Sequence, residues 1–248
     1  MASNSETGHA KNVANFEKLI TNVTGFGTVY NPSKESIKLP ALNALLATAK
    51  GAIANINATE PAYKNAVSAR ELAFEPLSKL ITRVNNALKA SDSSSQVDDS
   101  AMTLVRKLQG RRSSRKMTEE EKQAALAEGK EVNEISSSQM SYDSRLDNFD
   151  KLIKLLASVP EYAPNETELT TESLTALCDD LNAKNTEVIN ATVPLNNARI
   201  ARDQVLYTPL SGVVDISLDV KTYVKSLFGA TSPQFKLISK LAFKSVKS

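Results

Sequence analysis

Asn15-Phe16-Glu17-Lys18-Leu19-Ile20 recurs as Asn148-Phe149-Asp150-Lys151-Leu152-Ile153, a separation of 133 residues. The same separation maps Ile56-Asn57-Ala58-Thr59-Glu60-Pro61 onto Ile189-Asn190-Ala191-Thr192-Val193-Pro194. It also maps Pro76-Leu77-Ser78 onto Pro209-Leu210-Ser211, and Leu104-Val105-Arg106-Lys107-Leu108 onto Leu237-Ile238-Ser239-Lys240-Leu241. Between these, Asn65-Ala66 with Ala69-Arg70-Glu71 matches Asn197-Ala198 with Ala201-Arg202-Asp203 at 132, a one-residue slip. Common Ala, Leu and Lys residues would scatter such matches over many offsets, so their concentration at one offset marks a duplicated unit. The chain therefore divides into a polar leader (1–14), a first unit (15–114), a charged and Ser-rich linker (115–147) and a second unit (148–248).

Composition assigns these units to the all-α class. The chain has 248 residues, 41% hydrophobic but only 5% aromatic, with eight Gly and no Trp. Sheets favour aromatic and β-branched residues and Gly-rich turns, so an Ala/Leu/Ile/Val composition points to helix packing. Each unit opens with a short amphipathic helix, about 12–24 and 146–158. A long apolar stripe follows: Leu42, Leu46, Ala49, Ile53, Ile56, Tyr63, Val67, Phe74, Leu77, Ile81, Val84 and Leu88. With Glu60 and Arg70 as two polar interruptions, its steps of three and four are those of a coiled-coil seam. Two such units are expected to sit about an approximate two-fold axis. Residues 91–99 read as loop, with last helices at 100–111 and 233–247. In the linker, Thr118 and Glu121 form a capping box for a short helix over 118–128.

The prolines inside the stripe admit two readings. Pro61 and Pro194 either sit in the first turn of a second helix capped by Thr59, or interrupt a single long rod at a cost of about 3 kcal/mol. Repetition of Asn-Ala-Thr-x-Pro favours the hairpin, whereas the unbroken phase favours the rod. The hairpin is preferred here, with a kink at Pro76.

Chemistry is narrowed by scarcity. Zinc sites, Ser-His-Asp triads and disulfides need several Cys or His side chains, and the chain has one His and one Cys. His9 falls in the leader and reads as a solvated imidazole. Cys178 matches Leu45 of the first copy and reads as a buried, inert thiol. Asp98-Asp99 and Asp179-Asp180 lack calcium-loop spacing, and Gly25-Phe26-Gly27 lacks the features of a phosphate loop. Phe26, Tyr30, Phe228 and Phe235 read as core or interface aromatics. No catalytic, cofactor or metal residues are assigned, and no cofactor is expected.

The sharpest charge feature runs from Arg106 to Lys116, with Arg106, Lys107, Arg111, Arg112, Arg115 and Lys116 basic. The first unit carries thirteen basic and eight acidic residues, the second eleven of each, so a net charge of +2 hides one basic copy. Such a cluster could neutralise phosphates or an acidic partner, or merely complement a helix C-terminus. No aromatic residues interleave for base stacking.

Gly8-His9-Ala10-Lys11-Asn12, Phe74-x-Pro76-Leu77-Ser78 and Arg106-Lys107-Leu108-Gln109-Gly110 resemble a group of uncharacterised, duplicated all-helical bacterial proteins of about this length. That resemblance implies no functional residues. The polar N-terminus has no secretory pattern and no segment reaches spanning length, so a cytoplasmic protein is expected. The reading is a non-enzymatic scaffold that acts through helical surfaces and forms homo-oligomers. The alternatives are a module for nucleic acid or an acidic protein through 106–116, and an amphipathic, pore-forming-like membrane protein.

Overall fold

The computed structural model describes residues 8–111, 118, 120, 123, 124, 127 and 140–245. Among them all regular structure is helical, with no strand. The helices are α1 (His9–Gly25), α2 (Leu39–Phe74), α3 (Leu77–Lys89), α4 (Ser95–Leu108), α5 (Tyr142–Ala157), α6 (Thr171–Tyr207), α7 (Val213–Phe228) and α8 (Pro233–Ser239). Short 3₁₀ turns at Glu35–Ile37 and Thr167–Leu169 precede α2 and α6. Helix starts follow local chemistry: the hydroxyls of Ser94, Ser141, Thr170 and Ser232 accept hydrogen bonds from backbone N–H groups at the heads of α4, α5, α6 and α8. Of the linker helix expected over 118–128, Glu120, Gln123, Ala124 and Ala127 are helical, while Glu121 lies outside the described residues.

Several expectations are corrected. The preferred hairpin is not formed, because α2 runs through Pro61 and α6 through Pro194. Thr59 does not cap a new helix: its hydroxyl donates back to the carbonyls of Asn55 (2.9 Å) and Ile56 (3.1 Å). No described residue near Asn57 takes the left-handed conformation with which helices commonly end. At Pro76 the expected kink is a break, since α2 stops at Phe74 and Pro76 caps α3. The leader is helical from His9, because Val13 and Asn12 find buried partners that local sequence does not reveal. The loop at 91–99 ends early, Ser94 starting α4.

The last helix of the second copy is shorter than expected. Beyond α8 the chain from Leu241 to Ser245 is not helical. Its carbonyls are taken from outside: Asn12 Nδ2 donates to Lys244 O (2.7 Å), Asn15 Nδ2 to Ala242 O (2.8 Å), and Lys221 Nζ to Leu241 O. A helix would have needed those carbonyls for itself.

The Pro209-Leu210-Ser211 match is a local likeness only. Leu77 is 2% exposed on α3, whereas Leu210 is 81% exposed in a turn at φ 67°. A Cβ on Gly212 would lie 2.8 Å from the carbonyl oxygen of Leu206, so that turn requires glycine. After this four-residue insertion, the buried Val84 and Leu88 correspond to Val220 and Val224.

The compact units do not coincide with the repeat copies. One comprises Met1–Tyr63 with Ala191–Ser248, the other Lys64–Asn190. In the first, α1 packs on α7 and α8 around Phe16, Leu19, Leu42, Leu206, Val213 and Val220. In the second, α5 packs on α4 around Phe74, Ile81, Leu88, Leu108, Phe149 and Leu174. Each core thus joins the opening helix of one copy to the closing helices of the other. Both contain the same lock: Tyr30 Oη donates to Ile37 O and Tyr162 Oη to Leu169 O, each at 2.7 Å.

Candidate functional site

Two concave surfaces draw on the residues singled out from sequence, one in each unit. The first, of about 670 Å³, is lined by the start of α1 (Gly8, His9, Ala10, Lys11, Ala14), by Ile53, Ile56 and Asn57 of α2, and by Arg202 of α6. His9 is not a free imidazole. Its Nδ1 lies 2.7 Å from Tyr207 Oη and 3.9 Å from Asp203 Oδ1. Asn12 Nδ2 donates to the same phenol oxygen at 3.4 Å, which leaves the Tyr207 proton for Nδ1. Burial and the Arg202 charge hold the His9 pKa below its usual 6.5, against an opposing pull from Asp203. Burial raises the Tyr207 pKa. Arg202 Nε is held by Asp203 Oδ1 at 2.8 Å.

The corresponding residues of the second unit are closed over one another. The Arg70 guanidinium, the counterpart of Arg202, lies 3.9 Å over the Tyr142 ring, which stands where the first copy has His9. Arg70 Nη1 donates to Asn185 Oδ1 (2.9 Å), and Asn185 Nδ2 donates to Asp143 Oδ1 (2.6 Å). Ala52 and Ala10 occupy the matching positions of the first unit, so that polar closure has no equivalent there, and Ile53, Ile56 and Ala14 give the groove an apolar floor.

The second surface is a pocket of about 380 Å³ on α3 and α4, lined by Thr82, Asn85, Asn86, Lys89, Met102, Val105, Arg106, Gln109 and Arg111. It contains two residues of the basic cluster, Arg106 and Arg111. Lys107 is half-buried and is not among the residues that line it, and Arg112, Arg115 and Lys116 lie outside the described residues. Lys89, Asn85, Asn86 and Thr82 were not identified from sequence. An Asn beside Val84 on the buried side of an amphipathic helix was the available signal. Asn85 is 6% exposed and its Oδ1 has no hydrogen-bond partner. Such an orphaned acceptor costs about 1–3 kcal/mol.

Cys178 flanks the core of its unit, and burial, with the Asp150 and Asp179 carboxylates, raises its thiol pKa. The thiolate is therefore disfavoured. Among the described residues no group of three or more His, Cys, Asp or Glu could hold a metal ion, and no helix is long and apolar enough to cross a membrane. No protein-family model, curated protein or solved structure matches the chain.

Proposed function

We propose that the protein is a non-enzymatic scaffold that acts through its helical surfaces and self-associates as a homodimer. The observation that carries this reading is an apolar stripe on α6: Ile189, Val193 and Ile200 are 57%, 55% and 57% exposed. With the exposed Asn196 their steps are four, three and four, the spacing of a packed helical seam. No charged residue interrupts the line, whereas the matching positions of α2 include Glu60, opposite Val193, and Ser68, opposite Ile200. A second copy is the occupant that suits it. Antiparallel pairing of two α6 stripes about a two-fold axis sets Ile189 against Ile200 of the second copy and Val193 against Asn196, so the stripe is its own complement. The duplicated sequence suits the same kind of symmetry within one chain, the two copies being arranged about an approximate two-fold with coiled-coil-like contacts. A cytoplasmic setting accords with the single, unpaired Cys.

Size-exclusion chromatography with light scattering tests this. The expected result is a dimer at micromolar concentration and a folded monomer for Val193→Lys combined with Ile200→Glu. A monomer at every concentration for the unmodified chain overturns it.

A further inference from the structure

We propose that the pocket on α3 and α4 is a binding site for hydrogen phosphate, either the free anion or the end group of a small phosphorylated molecule. Lys89, Arg106 and Arg111 contribute three positive charges to its wall; among the described residues no acidic side chain lines it and none of the three is in an ion pair. This charge balance selects an anion. Gln109 ties the walls together, its Nε2 donating to Ser78 O (3.1 Å) and Thr82 Oγ1 (2.8 Å), so Arg106 of α4 and Arg111 just beyond it are set against α3.

Asn85 narrows the choice of anion. In the register of buried positions, Val84 and Leu88 match Val220 and Val224, and Asn85 matches Lys221. Lys221 is satisfied within its own unit by the carbonyls of Ser239 and Leu241. Among the described residues no donor reaches Asn85 Oδ1, so this amide of a pocket-lining residue keeps an unused acceptor. Hydrogen phosphate has both acceptor oxygens and a P–OH donor, so it satisfies this amide in either orientation, while sulfate can only accept. The pocket volume of about 380 Å³ accommodates one phosphoryl group with a small substituent.

The experiment uses the full chain, titrated with inorganic phosphate and with sulfate at matched ionic strength, and read by amide NMR and calorimetry. The expected result is saturable one-to-one binding, with shifts confined to residues 82–89 and 105–111 and phosphate bound about tenfold more tightly than sulfate. Arg106→Gln with Arg111→Gln should abolish binding with an unchanged Tm. Asn85→Leu should keep the fold and weak anion binding but erase the preference for phosphate. Phosphoserine distinguishes the sources: binding equal to phosphate assigns an end group, and its exclusion assigns the free anion. Absence of saturable shifts, equal affinity for sulfate, or binding of a DNA oligonucleotide without inorganic phosphate would overturn the proposal.

Discussion

Tyr162 donates its phenol proton to the carbonyl of Leu169 across 2.7 Å, inside the core of its unit. Burial pushes the Tyr162 pKa up to about 12, with the Glu166 charge adding to it. The folded state therefore holds this proton more tightly than the unfolded chain, whose tyrosine titrates near 10. The associated stability is complete below pH 10 and is lost as pH rises toward 12. Tyr162→Phe should cost about 1 kcal/mol at neutral pH and flatten the alkaline loss, as measured by urea denaturation at pH 8 to 12.

The single histidine gives a direct probe of the first unit. NMR titration of His9 should give a midpoint below 6.5, moved upward by Arg202→Gln and further down by Asp203→Asn. Because the folded pKa is depressed, His9 contributes stability above the unfolded value that fades as pH falls through the folded midpoint.

Replacing Pro61 by Ala returns an N–H to the interior of α2. With the gain in unfolded-state freedom deducted, the chain should be stabilised by about 2 kcal/mol. Pro194→Ala should act likewise in α6. A loss of stability in urea titrations would indicate that the prolines hold formed turns.

Phe16→Ala and Phe149→Ala each open a void in a different core, at about 3–5 kcal/mol. Calorimetric scans should show substantial loss for both, whereas Leu210→Ala on the surface should change stability by less than about 0.5 kcal/mol.

Truncation after Lys240 removes the carbonyls that satisfy the buried Asn12 and Asn15. Each orphaned amide costs about 1–3 kcal/mol, so the truncated protein should unfold at markedly lower urea. Asn12→Leu with Asn15→Leu should recover part of that loss.

Helical class was legible because it depends on composition and on the periodicity of apolar residues. The path of the chain through Pro61 was not, since a local Asn-Ala-Thr-x-Pro pattern carries no record of how Thr59 spends its hydroxyl. The aligned Pro76 and Pro209 misled for a related reason: the four-residue insertion ending at Gly212 shifts the register of burial without disturbing the sequence match. In the pocket, Arg106 and Arg111 stood out as charge, but Lys89 and Asn85 sit on another helix, and only folding brings them together.

The division of the chain also sets an order in time. Lys64–Asn190 is one uninterrupted run and can close its core as soon as Asn190 has been made. Phe16 and Leu19 of α1 must wait for Val220 and Ile238. At a synthesis rate of about 5–20 residues per second, that interval is on the order of ten to forty seconds. Helix α1, made before α7 and α8, is covered only after them, and its apolar face is the surface a growing chain must keep from other chains and offer to a chaperone.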